Sequence, residues 1–458
     1  MFIRRIVFLC AFFLFNSAHS LKIEINKGVV EPDPIAIVDF FSNNGSDSKT
    51  GTEISTIIKN NLELSGLFLP LDSRMFIESK QTLATSGHNI KNWNVLKARF
   101  LVYGNIEEHG FQFTVRFKLV DVVTGEIMLS LDISGDNNKK REIAHIISDY
   151  IYERITSEEG YFNTHLIVVE SATKAGTQRK TKLVKIDQDG YNPIDLTHGD
   201  ELVLMARYSN DGKNIAFISY KDKGKGALGK SAHVYIMNLS NKSTRLLLNE
   251  SIMKELIKKN RGNPVQMTYA PRFSNDGSKA VLAIIIDGKS AIYTLDIKSN
   301  TLKQLTEHTN IDTSPCFSND DSKIVFTSNR SGKEAIYVMN TDGSNQTRIS
   351  KGEGKYSQPV WSPRGDLIAF AKQTGGHFYI GLMKPNGSDE RLIIDGYLVE
   401  APCWASNGRY ISYSSQSGPG QKTTTNITDI TGHHTRMIET KGDAAYPAWS
   451  PRRKLISK

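Results

Sequence analysis

One short unit recurs six times in the second part of the chain, and repetition at a fixed period constrains a fold more tightly than any local propensity. The series opens with Ala206-Arg207-Tyr208-Ser209-Asn210-Asp211-Gly212, Ala270-Pro271-Arg272-Phe273-Ser274-Asn275-Asp276-Gly277 and Ser314-Pro315-Cys316-Phe317-Ser318-Asn319-Asp320. It closes with Gln358-Pro359-Val360-Trp361-Ser362-Pro363, Ala401-Pro402-Cys403-Trp404-Ala405-Ser406 and Tyr446-Pro447-Ala448-Trp449-Ser450-Pro451. The aromatics Tyr208, Phe273, Phe317, Trp361, Trp404 and Trp449 align at spacings of 65, 44, 44, 43 and 45 residues. A period of about 44 residues filled with short strands is the size of a four-stranded propeller blade.

The parts of the unit have separate physical jobs. The aromatic is expected to pack between blades, where a large flat ring buries most area. Asn-Asp-Gly makes a tight turn. An alternating strand follows, such as Ile324-Val325-Phe326, then a second one, Ile336 to Asn340, and a last short one near Arg348-Ile349-Ser350. The final unit is cut short after Trp449-Ser450-Pro451. Its missing strands have counterparts far upstream, at His165 to Val169, Leu183 to Asp187 and Pro193 to Thr197. The two ends of the repeat region should therefore share one blade and close the ring, which removes free sheet edges. Either Leu455-Ile456 or Leu166 to Val169 takes the second strand of that blade. The fold class expected is an α/β N-terminal domain followed by an all-β six-bladed propeller.

The division expected is a signal peptide over 1–20, an extended tail over 21–33, a small α/β domain over 34–160 and the propeller over 161–458. Arg4 and Arg5 precede an apolar run from Ile6 to Phe15 and a small-residue end at Ser17, Ala18 and Ser20. That is the pattern of a secretory signal, with cleavage after Ser20 or Ala18. In the small domain, Pro34 to Phe40 reads as a buried strand and Glu53 to Leu64 as a helix. Phe100 to Ile106, Phe111 to Val122 and Ile127 to Ile133 read as a meander, and Arg141 to Ile155 as a second helix. Past the signal only Cys316 and Cys403 remain, two repeats apart. A whole sheet lies between them, so two free, buried thiols are expected. The net charge of +9 is modest and spread along the chain. Nucleic acid is not an expected partner.

Several motifs invite a chemical reading and lose it in context. Gly224 to Ser231 matches GxxxxGKS in full, but a phosphate-cradling loop needs a helix after it. Here His233-Val234-Tyr235-Ile236-Met237 follows and aligns with the third strand of a blade. No GxSxG elbow is present. His433-His434 lacks the spaced partners of a zinc site, and the Asp-Gly pairs lack the terminal Glu of a calcium loop. No catalytic residue, cofactor or metal is expected. The long first interval is more informative: its surplus lies in 221–232 and 249–269, with a helical stretch near Ile252 to Lys258. In an up-and-down blade both segments emerge on one face, so both decorate one mouth of the channel, and loops on a rigid scaffold are where function sits.

Taken in order, the parts resemble the TolB family of the periplasmic Tol–Pal system over nearly the whole chain. The residues that carry the resemblance are the signal, Pro34 to Phe40, Asn61-Leu62-Glu63-Leu64-Ser65-Gly66-Leu67-Phe68 with Pro70, the strand at Tyr103-Gly104, and the Pro-x-aromatic-Ser repeats ending at Pro451. The 221–232 loop and the cysteines depart from the family pattern. The resemblance implies a monomeric, non-enzymatic adaptor that supports outer-membrane integrity and cell division. It would bind Pal, a peptidoglycan-associated lipoprotein, at a channel mouth, and TolA through its N-terminal segment. Its association with the outer membrane would be peripheral, through Pal. Carried onto this sequence, Met267, Tyr269, Ala270, Asp312, Thr313, Gln358, Glu400 and Tyr446 are the candidates for Pal. Lys22, Ile23, Glu24 and Ile25 are the candidates for TolA, alternating as an added strand would. The alternative is a propeller enzyme or small-ligand sensor that uses the central channel.

Overall fold

The computed structural model describes residues 31–171, 180–221, 231–262, 265–267 and 271–453. The first domain is a five-stranded sheet in the order β2-β1-β3-β4-β5, built from β1 (Asp33–Ile37), β2 (Phe68–Pro70), β3 (Phe100–His109), β4 (Gln112–Asp121) and β5 (Ile127–Asp136). Two long helices, α1 (Lys49–Leu64) and α4 (Lys140–Thr156), share one core with this sheet. Two short ones, α2 (Lys80–Thr85) and α3 (Ile90–Val95), belong to a second core with Leu101, Tyr103 and Val120.

Helix α1 begins one turn earlier than hydrophobic periodicity indicates. The Ser48 side chain accepts the Gly51 N–H at 3.0 Å and so caps the first turn. Gly51 is required there, because a Cβ would overlap the Phe40 carbonyl. Periodicity also passes over α2 and α3, which are six residues each and rest on the side-chain caps Ser79 and Asn89.

The propeller has six blades with strands A to D from the axis outwards, the A strand of the second blade being split into Gln266–Met267 and Arg272–Phe273. Three of the blades begin with the A strands Asp312–Phe317, Lys355–Trp361 and Leu398–Trp404. The sixth blade is composite. Its A strand, Ala444–Trp449, pairs antiparallel with His165–Ser171, with Trp449 opposite Leu166. Thr181–Asp187 and Ile194–Asp195 complete it, so the upstream segment takes the B position.

A feature that the repeat pattern does not announce recurs in the A strands. The residue three before the aromatic has left-handed backbone, with φ between 50° and 55° at Met205, Ser314, Gln358, Ala401 and Tyr446. The ladder to strand B shifts register at each of these places. Each is a β-bulge, which bends the inner strand and re-aims its side chains. Where proline follows, it disfavours the right-handed helical region for the residue before it.

One hydrophobic core runs through the joint between the domains. It holds Ile54, Ile58, Ile147 and Tyr152 of the helices together with Tyr410 and Trp449 of the propeller. Helices α1 and α4 therefore lie between the sheet and the propeller. Tyr161 packs in tilted geometry against Phe162 and Tyr410 with centroids 4.5 and 4.3 Å away, and the Tyr410 hydroxyl donates to the Ser65 carbonyl at 2.8 Å.

Candidate functional site

The two mouths of the channel differ. The first domain rests on A–B and C–D turns: Asn407 donates to the Glu159 carbonyl, Arg409 pairs with Glu158 at 3.4 Å, and His434 Nε2 meets the Leu64 carbonyl at 3.0 Å. His434 is thus an interface residue, set against Gly66, where any Cβ would collide with its ring. Among the described residues, the B–C and D–A connections leave the opposite mouth open, and there the A strands begin.

The structure places five of the eight candidates for Pal at that open mouth. Gln358, Glu400 and Tyr446 come from three successive blades. Gln358 Oε1 accepts the Ala401 N–H at 2.6 Å and ties two blades together. Burial pushes the Glu400 carboxyl above its ordinary value, while the Gln358 and Tyr446 side chains beside it favour the charged form. Thr313 is partly exposed, next to Asp312. Asp312 itself is fully buried and pairs with Arg330 at 2.8 Å. Its role is to position Arg330, whose guanidinium also lies over the rings of Phe326 and Tyr337. Two exposed apolar side chains, Ile311 and Tyr397, flank the mouth.

The remaining candidates carry less geometry. The backbone of Gln266–Met267 pairs with Lys279–Ile286, which puts Met267 on the second blade. Tyr269 and Ala270 lie outside the described residues, as do Lys22, Ile23, Glu24, Ile25 and most of the 221–232 loop. The residues after that loop, Ser231–Asn238, form a strand paired with Asn214–Lys221. The GxxxxGKS run therefore precedes no helix N-terminus. The surplus before the second blade holds α5 (Glu250–Lys259), capped by Asn249 and packed through Leu256 against Val265 and Ile284.

Two clusters were not visible in the sequence. His145, Asp187 and Asp189 bring three ligand-type atoms within 4.8 Å of one another at the domain joint. Arg141 donates to both carboxylates, so an ion-pair network already occupies them. The second cluster lies inside the channel. The residue before each repeat aromatic forms a ring of Arg207, Arg272, Cys316, Val360, Cys403 and Ala448, around a cavity of about 770 Å³. Both cysteines are free and buried. Only their alternating position along a strand could have marked these residues as facing the axis.

A family model described as the TolB beta propeller domain matches residues 152–453, and one described as the TolB amino-terminal domain matches residues 21–128. Tol-Pal system protein TolB of Paramagnetospirillum magneticum is 43% identical over 438 residues, covering 94% of this chain and 93% of its own. The crystal structure of TolB from Acinetobacter baumannii is similar with a TM-score of 0.79 at 22% identity, covering 93% of this chain and 99% of that one; it speaks for the fold alone. Among the described residues, no helix is long and apolar enough to cross a membrane. The chain belongs to the TolB family and is a component of the Tol–Pal system.

Proposed function

We propose that the chain is a non-enzymatic periplasmic adaptor that binds Pal at the open mouth of the propeller and TolA through residues 21–33, in support of outer-membrane integrity and division. The observation that carries this reading is the meeting of Gln358, Glu400 and Tyr446 from three blades on the face away from the first domain. Exposed apolar Ile311 and Tyr397 beside part-buried polar groups give that mouth the composition of a protein interface. The tail is long enough for strand addition, which draws affinity from backbone hydrogen bonds and asks little of side chains.

Calorimetric titration of the chain from Leu21 with the soluble domain of the same organism's Pal tests the reading. Saturable binding is expected, weakened at least about tenfold by Tyr269→Ala with Thr313→Ala in a protein that stays folded. Removal of residues 21–33 should abolish binding of the TolA domain and leave the mouth able to bind Pal. Absence of Pal binding by the folded wild type refutes the adaptor reading.

A further inference from the structure

The channel contains cations that neither the adaptor reading nor the fold requires. Arg207 and Arg272 occupy equivalent positions on neighbouring A strands and line one cavity. Arg207 Nη1 donates at 2.7 Å to the carbonyl of Ala206, its own neighbour in sequence, and has no carboxylate partner among the described residues. Arg272 pairs through its backbone with the strand holding Val281, and its guanidinium makes no hydrogen bond or ion pair with any described residue. Among the described residues the one acid in the cavity lining is Glu159, which faces Arg452 at 3.6 Å. Several partly buried arginines elsewhere are matched by acids: Arg330 by Asp312, Arg409 by Glu158, and Arg452 by Asp149 and Glu153. Arg436 is held by the carbonyl and side-chain amide oxygens of the distant Gln188, whereas Arg207 reaches, among the described residues, only its own neighbour's carbonyl.

Two guanidiniums that share a cavity repel each other and lose hydration, and an anion between them relieves both costs. The titratable groups that act on Arg207 are Arg272 and the thiols of Cys403 and Cys316, and no protonated thiol supplies a full negative charge. Burial and the Arg272 charge accordingly press Arg207 toward its neutral form. A guanidinium presents a planar fork of donors that fits oxyanions in two-point contact. The cavity that both arginines line, about 770 Å³, has the size of a small-ligand site.

The geometry points to a binding site for a small oxyanion, a phosphate or carboxylate group, held between Arg207 and Arg272 inside the propeller channel. Inorganic phosphate is the probe. In equilibrium dialysis of the wild-type chain at constant ionic strength, phosphate should bind saturably at one site, with acetate competing if carboxylates share it. Arg207→Gln and Arg272→Gln should each weaken phosphate at least about tenfold, since each removes a charged donor. If a variant fails to fold, selenate soaked into wild-type crystals provides the location, with an anomalous peak expected between the two guanidiniums. Absence of saturable phosphate binding overturns the inference. So does binding that survives both substitutions together, or a selenate peak elsewhere with none in the channel. Pal binding by the same samples reads the adaptor function separately.

Discussion

Asp149 sits at the joint between the domains and should make the protein less stable as the pH rises from about 4 to about 7. Its side chain is 2% exposed, and its carboxylate accepts the Phe162 N–H at 2.7 Å and the Asn163 N–H at 3.3 Å. Arg452 lies 3.7 Å away. Loss of hydration outweighs these favourable contacts and pushes the carboxyl from 3.8 up to about 7. A carboxyl with a raised pKa stabilises the fold fully below its unfolded value, and that contribution is lost as pH climbs through the folded value. A shift of about three units at about 1.4 kcal/mol each sets a ceiling of about 4 kcal/mol. Asp149→Asn keeps an acceptor for the Phe162 N–H and removes the titration. Urea unfolding of both proteins from about pH 4 to about pH 8 isolates the effect, because all other titrating groups are common to the two. The wild type should lose about 2 to 4 kcal/mol relative to the variant across that range. Stability curves that stay parallel within about 0.5 kcal/mol would falsify the argument that burial dominates at this site.

Two further substitutions test the packing. Tyr410→Phe deletes the hydroxyl that donates to the Ser65 carbonyl and leaves that acceptor unmatched in the joint. It should cost about 1 to 3 kcal/mol, seen as a lower urea midpoint at an unchanged slope. Gly51→Ala forces a methyl against the Phe40 carbonyl and should cost at least about 1 to 3 kcal/mol, read by thermal unfolding. An Ala variant as stable as the wild type would mean that α1 shifts freely at its first turn.

The propeller was legible because its signal is periodic: six aromatics at nearly equal spacing identify blades, and the truncated last unit identifies the composite one. Local chemistry that repeats can be averaged by eye. The bulges could not be read in this way, because five unlike side chains, Met205, Ser314, Gln358, Ala401 and Tyr446, share a backbone conformation and nothing else. The domain joint was hidden for a different reason. Arg409 and Glu158 meet across 251 positions, and nothing near either residue indicates the other. At the mouth, proximity to a proline found Gln358 and Glu400 together but also selected Asp312, whose carboxylate points into the fold. The channel arginines were in plain view within the repeat, yet their meaning depends on the absence of nearby acids, a property of space and not of spacing.

The composite blade also imposes a clock. His165–Ser171 leaves the ribosome early, while the strand that covers it, Ala444–Trp449, comes at the far end of the repeat region. At synthesis rates of about 5 to 20 residues per second, roughly a quarter of a minute to a minute separates them. Through that interval the first-made strand of the sixth blade has an unpaired edge able to capture a strand of another chain. The last contact to form is also among the most distant in sequence, so it carries a large loop-closure cost and should arrive late in folding. A chain stopped before residue 444 would present an adhesive edge where the complete one presents a sealed ring.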